Sequence, residues 1–223
     1  MAKKKPNVFL IQPHSDDILF SASKYLMNRD YYGQIILFTV ENDEKRLKED
    51  AELCELFNLE QMHGEILNGD KSYYEYYNVL KNKVFDYNEG ETCLINLYGN
   101  KFLKSLKKEI RKWAKNFKED DFEIVVCLGI GHPMHHFVRK CVEDLADSFY
   151  RDFPHSYKRK TQKCYEETCN EFKLHSEFDT TDTNETQFSI AYNIYKTQRS
   201  LLFFEKGYMD KKLPEQYYVK IKD

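Results

Sequence analysis

The chain has 223 residues, of which 41% are hydrophobic and 32% are charged, and its formal net charge at pH 7 is −3. This length and balance predict a globular domain with a buried core and exclude a disordered or fibrous protein. The slightly acidic balance argues against broad electrostatic binding of nucleic acid, and no apolar run reaches the roughly 18 residues of a membrane span.

The first part of the chain alternates apolar runs with amphipathic segments. The predicted elements are strands over residues 7–12, 34–40 and 65–67 and helices over residues 17–29 and 44–57. The third strand is predicted to end at Asn68-Gly69-Asp70, because this sequence is a turn signal.

The alternation continues through the middle of the chain. The predicted elements are helices within residues 73–87 and over 102–117 and 136–149, and strands over 92–98 and 122–128. Residues 150–223 are less regular, and the predictions there are a loop over 176–186, a helix over 187–205 and a late edge strand over 217–221. The pattern predicts one α/β domain over residues 1–223, a Rossmann-like three-layer sandwich with a mostly parallel sheet and helices on both faces.

A polar motif follows each of two strongly apolar predicted strands. Pro13-His14-Ser15-Asp16-Asp17 comes directly after the first strand, and His132-Pro133-Met134-His135-His136 comes after the strand over 122–128. In open α/β sheets, ligands bind at the carboxyl ends of the strands. We therefore expect the two motifs to form one site.

The first motif supplies zinc-type ligands and a spare carboxylate. His14 and Asp17 stand at i and i+3, so both side chains can turn to the same side if a helix begins near Asp16. Asp16 points elsewhere and can take a proton from a metal-bound water, as a general base does.

The second motif offers three imidazoles. His132 and His135 are three residues apart, whereas His132 and His136 are four apart, and the chemistry alone does not choose between His135 and His136 as a ligand. One histidine from this motif and the two ligands of the first make a set of three. Such a set leaves a fourth position open for water, which is typical of catalytic zinc.

The six cysteines show no CxxC pair. Because several of them lie in predicted strands or helices, reduced, buried thiols in a cytoplasmic protein are expected.

At these motifs the chain resembles the LmbE-like, or PIG-L, family of zinc-dependent N-deacetylases. The family has a His-Pro-Asp-Asp-Glu run where this chain has His14-Ser15-Asp16-Asp17-Ile18, and a His-x-Asp-His run where it has His132-Pro133-Met134-His135. Weaker similarities lie at Arg46 with Glu49, at Asn68-Gly69-Asp70 and at Tyr150-Arg151-Asp152-Phe153-Pro154. The resemblance extends over about residues 7–155 and is thin beyond.

The resemblance implies a role for each motif residue. Zn²⁺, or another divalent metal such as Fe²⁺, would be held by His14, Asp17 and His135. Asp16 would be the general base, and His132 would stabilise the oxyanion or protonate the leaving amine.

The resemblance also implies the reaction and the substrate. The enzyme would be a hydrolase that removes an acyl group, in the first instance acetyl, from an amino sugar or a small glycoconjugate. The residues implied to contact this substrate are Arg46, Asp70 and Tyr150.

The chain departs from the family pattern at two positions. Ile18 and Met134 replace acidic residues, which leaves open a catalytically inactive sugar- or metal-binding protein on the same fold. A metal phosphoesterase is a further alternative, although it would usually need more carboxylate ligands for a second metal.

Overall fold

The computed structural model describes residues 4–41, 44–64, 87–157, 159–198 and 214–221, which form a seven-stranded sheet with flanking helices. The strands are β1 (Asn7–His14), β2 (Ile35–Glu41), β3 (Glu60–His63), β4 (Phe122–Cys127), β5 (Ser148–Tyr150), β6 (Phe172–Phe178) and β7 (Glu215–Lys220). The helices are α1 (Asp17–Ser21), α2 (Lys24–Met27), α3 (Glu44–Phe57), α4 (Tyr87–Tyr98), α5 (Asn100–Glu119), α6 (Pro133–Val142), α7 (Gln162–Thr168) and α8 (Asn184–Ile194).

The strand order places β1 and β4 side by side at the middle of the sheet. The order is β3-β2-β1-β4-β5-β7-β6, and among the strands described β7 alone runs in the opposite direction to the rest. From β1 the chain moves outward to β2 and β3 and then crosses back to β4 on the other side of β1. The carboxyl ends of β1 and β4 therefore flank the point where the strand order reverses, which is where open α/β sheets bind ligands.

Both faces of the sheet are covered. Every residue of β1 from Val8 to His14 is buried, and so is every residue of β4 from Ile124 to Cys127. Because successive side chains of a strand point to opposite faces, an unbroken buried run needs packing on each side. The predicted α/β fold with a mostly parallel sheet and three layers is confirmed.

Several elements before residue 130 match their predictions. Helix α3 has the predicted bounds, and β1, β2, α5 and β4 differ from theirs by one or two residues at an end. The predicted helix over 17–29 is interrupted, because the carboxylate of Glu215 accepts the N–H groups of Ser23 (2.8 Å) and Lys24 (3.1 Å) and so begins a second helix.

Three predicted elements are wrong. Residues 92–98 belong to α4, where the adjacent Cys93 and Leu94 are both buried, in contrast to the alternation of a strand. The helix predicted over 136–149 ends at Val142, and β5 follows it. The loop predicted over 176–186 contains the end of β6, a mostly exposed strand that lacks an apolar pattern.

The late strand is present but does not lie at the edge. Strand β7 pairs with β5 on one side and β6 on the other, so β6 is the edge strand. The predicted strand over 65–67 and the predicted helix within 73–87 lie outside the described residues, apart from Tyr87, where α4 begins. In the part of the chain described, no helix combines the length and the apolar character needed to cross a membrane.

Candidate metal centre

The first motif forms a strained turn between β1 and α1. Asp16 lies between them at φ 90° and ψ −24°, in the left-handed region. A non-glycine residue there costs about 1–3 kcal/mol and persists only where the surrounding structure holds it. The carbonyl of Asp16 accepts the N–H of Leu19 at 3.0 Å, so the same residue begins the helix.

The second motif is positioned by a close approach of two loops. Gly131 has φ 81°, and a Cβ at this position would lie 2.8 Å from Cγ2 of Thr161 and 3.0 Å from the carbonyl oxygen of His155. His132 follows as the N-cap of α6, and its Nδ1 accepts the N–H of Met134 at 3.3 Å. This cap places His135 within the first turn of the helix.

Three buried side chains from the two motifs converge at the strand ends. Nδ1 of His14 lies 3.0 Å from Nε2 of His135, and Oδ2 of Asp17 lies 3.4 Å from each of these nitrogens. We call these three atoms the ligand triangle. A tetrahedral zinc ion with bonds of about 2.0–2.1 Å needs ligand atoms about 3.3–3.4 Å apart. The triangle therefore fits zinc in size and in its two nitrogen and one oxygen donors.

His135 contributes an atom to the ligand triangle, whereas His136 does not. Nδ1 of His136 lies 3.2 Å from Nη2 of Arg139. Burial, together with the positive charges of Arg139 and Lys140, lowers the pKa of His136 to about 3. The structure thus separates the two histidines that the spacing alone leaves equivalent.

A second carboxylate orients His135 from behind. Nδ1 of His135 donates to Oδ1 of the fully buried Asp152 at 2.6 Å, and the other oxygen of Asp152 accepts the N–H of Ile130 at 3.1 Å. This bond fixes the ring so that Nε2 is the nitrogen available to a metal. Asp152 is not among the predicted site residues, although it lies in the family-like segment after β5.

The adjacent carboxylates of Asp16 and Asp17 have opposite pKa shifts. Burial alone would raise the pKa of Asp17, but the charge of His135 and the hydrogen bonds from His14 lower it to about 2. Burial raises the pKa of Asp16 well above its ordinary value, and the negative charge of Asp17 adds to this, whereas Arg46 and His14 oppose it. Asp17 is thus suited to be an ionised ligand and Asp16 to take up a proton.

Two further imidazoles border the ligand triangle. The ring centroid of His132 lies 4.7 Å from that of His14 and 5.0 Å from that of His135. The ring centroid of His155, which follows the family-like segment after β5, lies 5.2 Å from that of His132 and 5.1 Å from that of His135. The ligand atoms of His14, His132 and His135 also lie within 4.8 Å of one another, so these three histidines form a second possible ligand set.

Another potential ligand group shares His135 but does not suit a metal. Cys127, His135 and Asp152 place donor atoms within 4.8 Å of one another. Burial raises the pKa of Cys127 well above its ordinary value, and its thiol donates to the carbonyl of His135 at 3.3 Å. The nitrogen of His135 on this side is already bonded to Asp152, which makes the group part of the support of the ligand triangle.

The predicted substrate contacts have different surroundings. Arg46, on α3, is half-buried, and its charge acts on the pKa of Asp16. Tyr150 is fully buried, and its hydroxyl donates to the carbonyl of Ile11 at 3.1 Å. This burial argues against the predicted contact of Tyr150 with substrate, because the side chain is part of the hydrophobic core and has no exposed surface. Asp70 lies outside the described residues.

Both departures from the family pattern are core residues. Ile18 and Met134 are 0% and 1% exposed. The N–H of Ile18 donates to Oε1 of Gln12 at 3.2 Å. The two apolar side chains therefore contribute packing at the helix starts, where the resemblance leads one to expect carboxylates.

Solved structures share this fold from end to end. The zinc-inhibited form of teicoplanin deacetylase Orf2 is 15% identical, with a TM-score of 0.58, and the match covers 97% of this chain and 99% of that one. A triple mutant of a deacetylase of the teicoplanin pathway is 14% identical (TM-score 0.59, 97% and 99% covered), and the A40926 pseudoaglycone deacetylase Dbv21 is 15% identical (0.58, 98% and 98%). No protein-family model and no curated protein matches the sequence. At these identities the likeness confirms the fold implied by the resemblance.

Proposed function

We propose that the protein is a zinc-dependent hydrolase that removes an acyl group, in the first instance acetyl, from the nitrogen of an amino sugar or a sugar conjugate. The observation that carries this proposal is the ligand triangle, with its sides of 3.0 and 3.4 Å, next to the strained turn at Asp16. The proposal is supported by the fold, since the solved structures that share it are described as deacetylases.

The metal would be held by His14, Asp17 and His135. When bound, zinc would polarise the amide carbonyl and lower the pKa of a water in the open fourth position. Fe²⁺ is compatible with the same imidazole and carboxylate donors.

Asp16 acts as the general base. It accepts a proton from the attacking water as the water oxygen bonds to the carbonyl carbon. It then returns that proton to the nitrogen as the C–N bond breaks, which releases the free amine and the carboxylic acid, and the acid then loses its proton to water. Its raised pKa suits this exchange, because a group that gains and loses a proton within one turnover works best with a pKa near the working pH.

His132 acts as the donor to the developing oxyanion. Because its Nδ1 accepts the N–H of Met134, the neutral ring carries its proton on Nε2. A neutral imidazole in this tautomer donates one hydrogen bond and has no second proton to give. The geometry therefore favours oxyanion stabilisation over protonation of the leaving amine, the alternative that the resemblance leaves open.

Arg46 is the leading candidate for substrate recognition. Its guanidinium lies near enough to Asp16 to affect the pKa of that carboxylate, and it suits a phosphate or carboxylate on the substrate. Asp70 keeps the role implied by the resemblance. We also propose that the chain works as one domain in the cytoplasm, which is supported by the burial of Cys54, Cys127 and Cys141.

Metal analysis combined with an acetate-release screen tests the proposal. We expect about one zinc per chain in the purified protein and release of acetate from at least one member of a panel of N-acetylated amino sugars and their conjugates. A chelator should abolish the release, and added Zn²⁺ should restore it.

The same screen separates the alternatives. One bound zinc without acetate release from any member of the panel would favour a binding protein. Phosphate release from phosphomonoesters, with no acetate release, would favour a phosphoesterase.

A further inference from the structure

A buried carboxylate outside the ligand triangle lies next to the strained turn. Asp50, on α3, is 0% exposed. Its Oδ2 accepts hydrogen bonds from Oγ1 of Thr39 (2.6 Å), Oγ of Ser15 (3.1 Å) and Nε2 of Gln12 (3.2 Å), and its Oδ1 accepts one from the hydroxyl of Tyr195 (3.1 Å). One side chain thus joins β1, the turn, β2 and the segment after α8.

Two of these bonds hold the turn at Asp16 from both sides. Ser15 immediately precedes Asp16 and bonds directly to Asp50. Nε2 of Gln12 donates to Asp50, and Oε1 of the same side chain accepts the N–H of Ile18. Both ends of the strained segment are therefore tied to one carboxylate, which helps to offset the cost of the left-handed backbone at Asp16.

Asp17 lies in the same turn, but the proposed metal ligands also have supports that do not involve Asp50. The N–H of His14 donates to Oδ2 of Asp17 at 2.8 Å, and His135 is held by Asp152. Asp50 bonds to none of these groups. Its loss should therefore displace Asp16 more than it displaces the ligand triangle.

We propose that Asp50 is a positioning residue that holds the turn from Ser15 to Ile18 so that the carboxylate of Asp16 faces the ligand triangle. The inference rests on the proposed function, because it assigns to Asp50 the orientation of the general base. All four partners donate to Asp50, and a carboxylate can accept all four bonds at once. An asparagine has a single acceptor oxygen, so a hydroxyl partner would have to turn and accept from its amide hydrogens, which disturbs the network.

The test is Asp50→Asn in the full chain, alone and combined with Asp16→Asn. We expect the zinc content to stay at the wild-type level, kcat to fall roughly 10- to 100-fold and KM to change little, since misplacement of a catalytic group by about 1 Å costs up to about 10²-fold. In the Asp16→Asn background, Asp50→Asn should cause no further loss, because the group it positions is already disabled.

Glu49→Gln is the matched control. Glu49 is the preceding residue of α3 and is also buried, and it accepts bonds from N–H and Oγ1 of Thr197 (2.7 and 2.6 Å). It ties α3 to the segment after α8, as Asp50 does, but has no bond to the turn. This variant should keep the wild-type kcat. Unchanged kcat in Asp50→Asn, loss of zinc, or an equal further loss in the Asp16→Asn background would each overturn the proposal.

Hydrogen exchange provides a measurement that does not depend on activity. The amide of Ile18 should exchange faster in Asp50→Asn than in the wild type or in Glu49→Gln, whereas the amides of α6 should be unchanged. Ser15→Ala, which removes a single bond to Asp50, should also speed exchange of the Ile18 amide. It takes the place of Asp50→Asn in this test if that variant does not fold. Absence of acetate release by the wild type would overturn the proposed function. An exchange rate at Ile18 that is the same in Asp50→Asn and the wild type would overturn the positioning role, whether or not acetate is released.

Discussion

Asp152 holds His135 through a 2.6 Å hydrogen bond between Oδ1 and Nδ1, and this bond turns Nε2 of the ring toward Asp17 and His14. The contact joins the segment after β5 to α6, so the ligand triangle depends on a carboxylate that is not one of its corners. Carboxylates in this position fix the tautomer of the ligand and raise its basicity.

Asp152→Asn should therefore weaken zinc binding by roughly 10- to 100-fold without unfolding the protein. Competition with a chelator of known affinity would measure the change. Asp144→Asn, which alters an exposed carboxylate paired with Arg111, should leave the affinity unchanged. Equal affinities for wild type and Asp152→Asn would show that the bond to His135 does not support metal binding.

His135→Ala should remove most of the bound metal, because it deletes one corner of the ligand triangle. His136→Ala should retain it, since that ring contacts Arg139 instead. Metal content per chain, determined on purified protein, distinguishes the two. The reverse pattern would mean that the assignment of the ligand from the motif is incorrect.

Asp16→Asn should keep the zinc and the fold but lower turnover by roughly 10²- to 10⁴-fold, the range of a lost general base. Asp121→Asn is a suitable control, because Asp121 also has a positive φ (66°), is exposed and directly precedes the amino end of β4, whereas the second motif follows the carboxyl end. Near-normal turnover of Asp16→Asn on a genuine substrate would eliminate the role as a base.

His132→Asn should retain zinc while lowering kcat by roughly 10²- to 10³-fold, as expected for the loss of an oxyanion donor. Asparagine is a good N-cap, so its side-chain oxygen can replace Nδ1 in accepting the N–H of Met134. Metal content and steady-state rates would be measured on the same preparation. Loss of zinc from His132→Asn would identify His132 as a ligand.

The unfolding free energy should carry a pH dependence that originates from Asp50. Burial raises the pKa of this carboxyl from its ordinary value of 3.8 to about 6 in the folded state. The folded protein therefore holds the proton more tightly, and the contribution of Asp50 to stability is present below about pH 4 and is lost as pH rises to about 6.

Urea unfolding of the metal-free wild type and Asp50→Asn between pH 4 and 7 would test this. The stability of the wild type relative to the variant should fall by up to about 3 kcal/mol over pH 4–6 and then level off. Parallel curves for the two proteins would contradict the raised pKa of Asp50.

The convergence of His14, Asp17 and His135 could be predicted from the sequence, because two conditions meet at the motifs. His14 and Asp17 are close in the chain, and the parallel sheet brings the end of β1 beside the end of β4, which leads to His135 at the start of α6. Local spacing and topology are both visible in a pattern of apolar runs. Together, the local spacing and the topology bring three donor atoms to the separations that zinc requires.

Asp152 and Asp50 could not be predicted in the same way. Asp152 is 17 residues from His135, and Asp50 is 35 residues from Ser15, and neither pair has a characteristic spacing. Their partners are set by the packing of helices on the sheet. For the same reason the interruption between α1 and α2, which depends on Glu215, is absent from the predicted helix.

The place of β7 has a consequence for biosynthesis. Among the strands described, β6 pairs only with β7, and β7 also covers the outer edge of β5, although β6 is made well before β7. A growing chain that has reached β6 therefore carries two open strand edges of the kind that pair with other chains. Those edges close only when β7 leaves the ribosome and enters between them, so the nascent protein is exposed to aggregation during this interval.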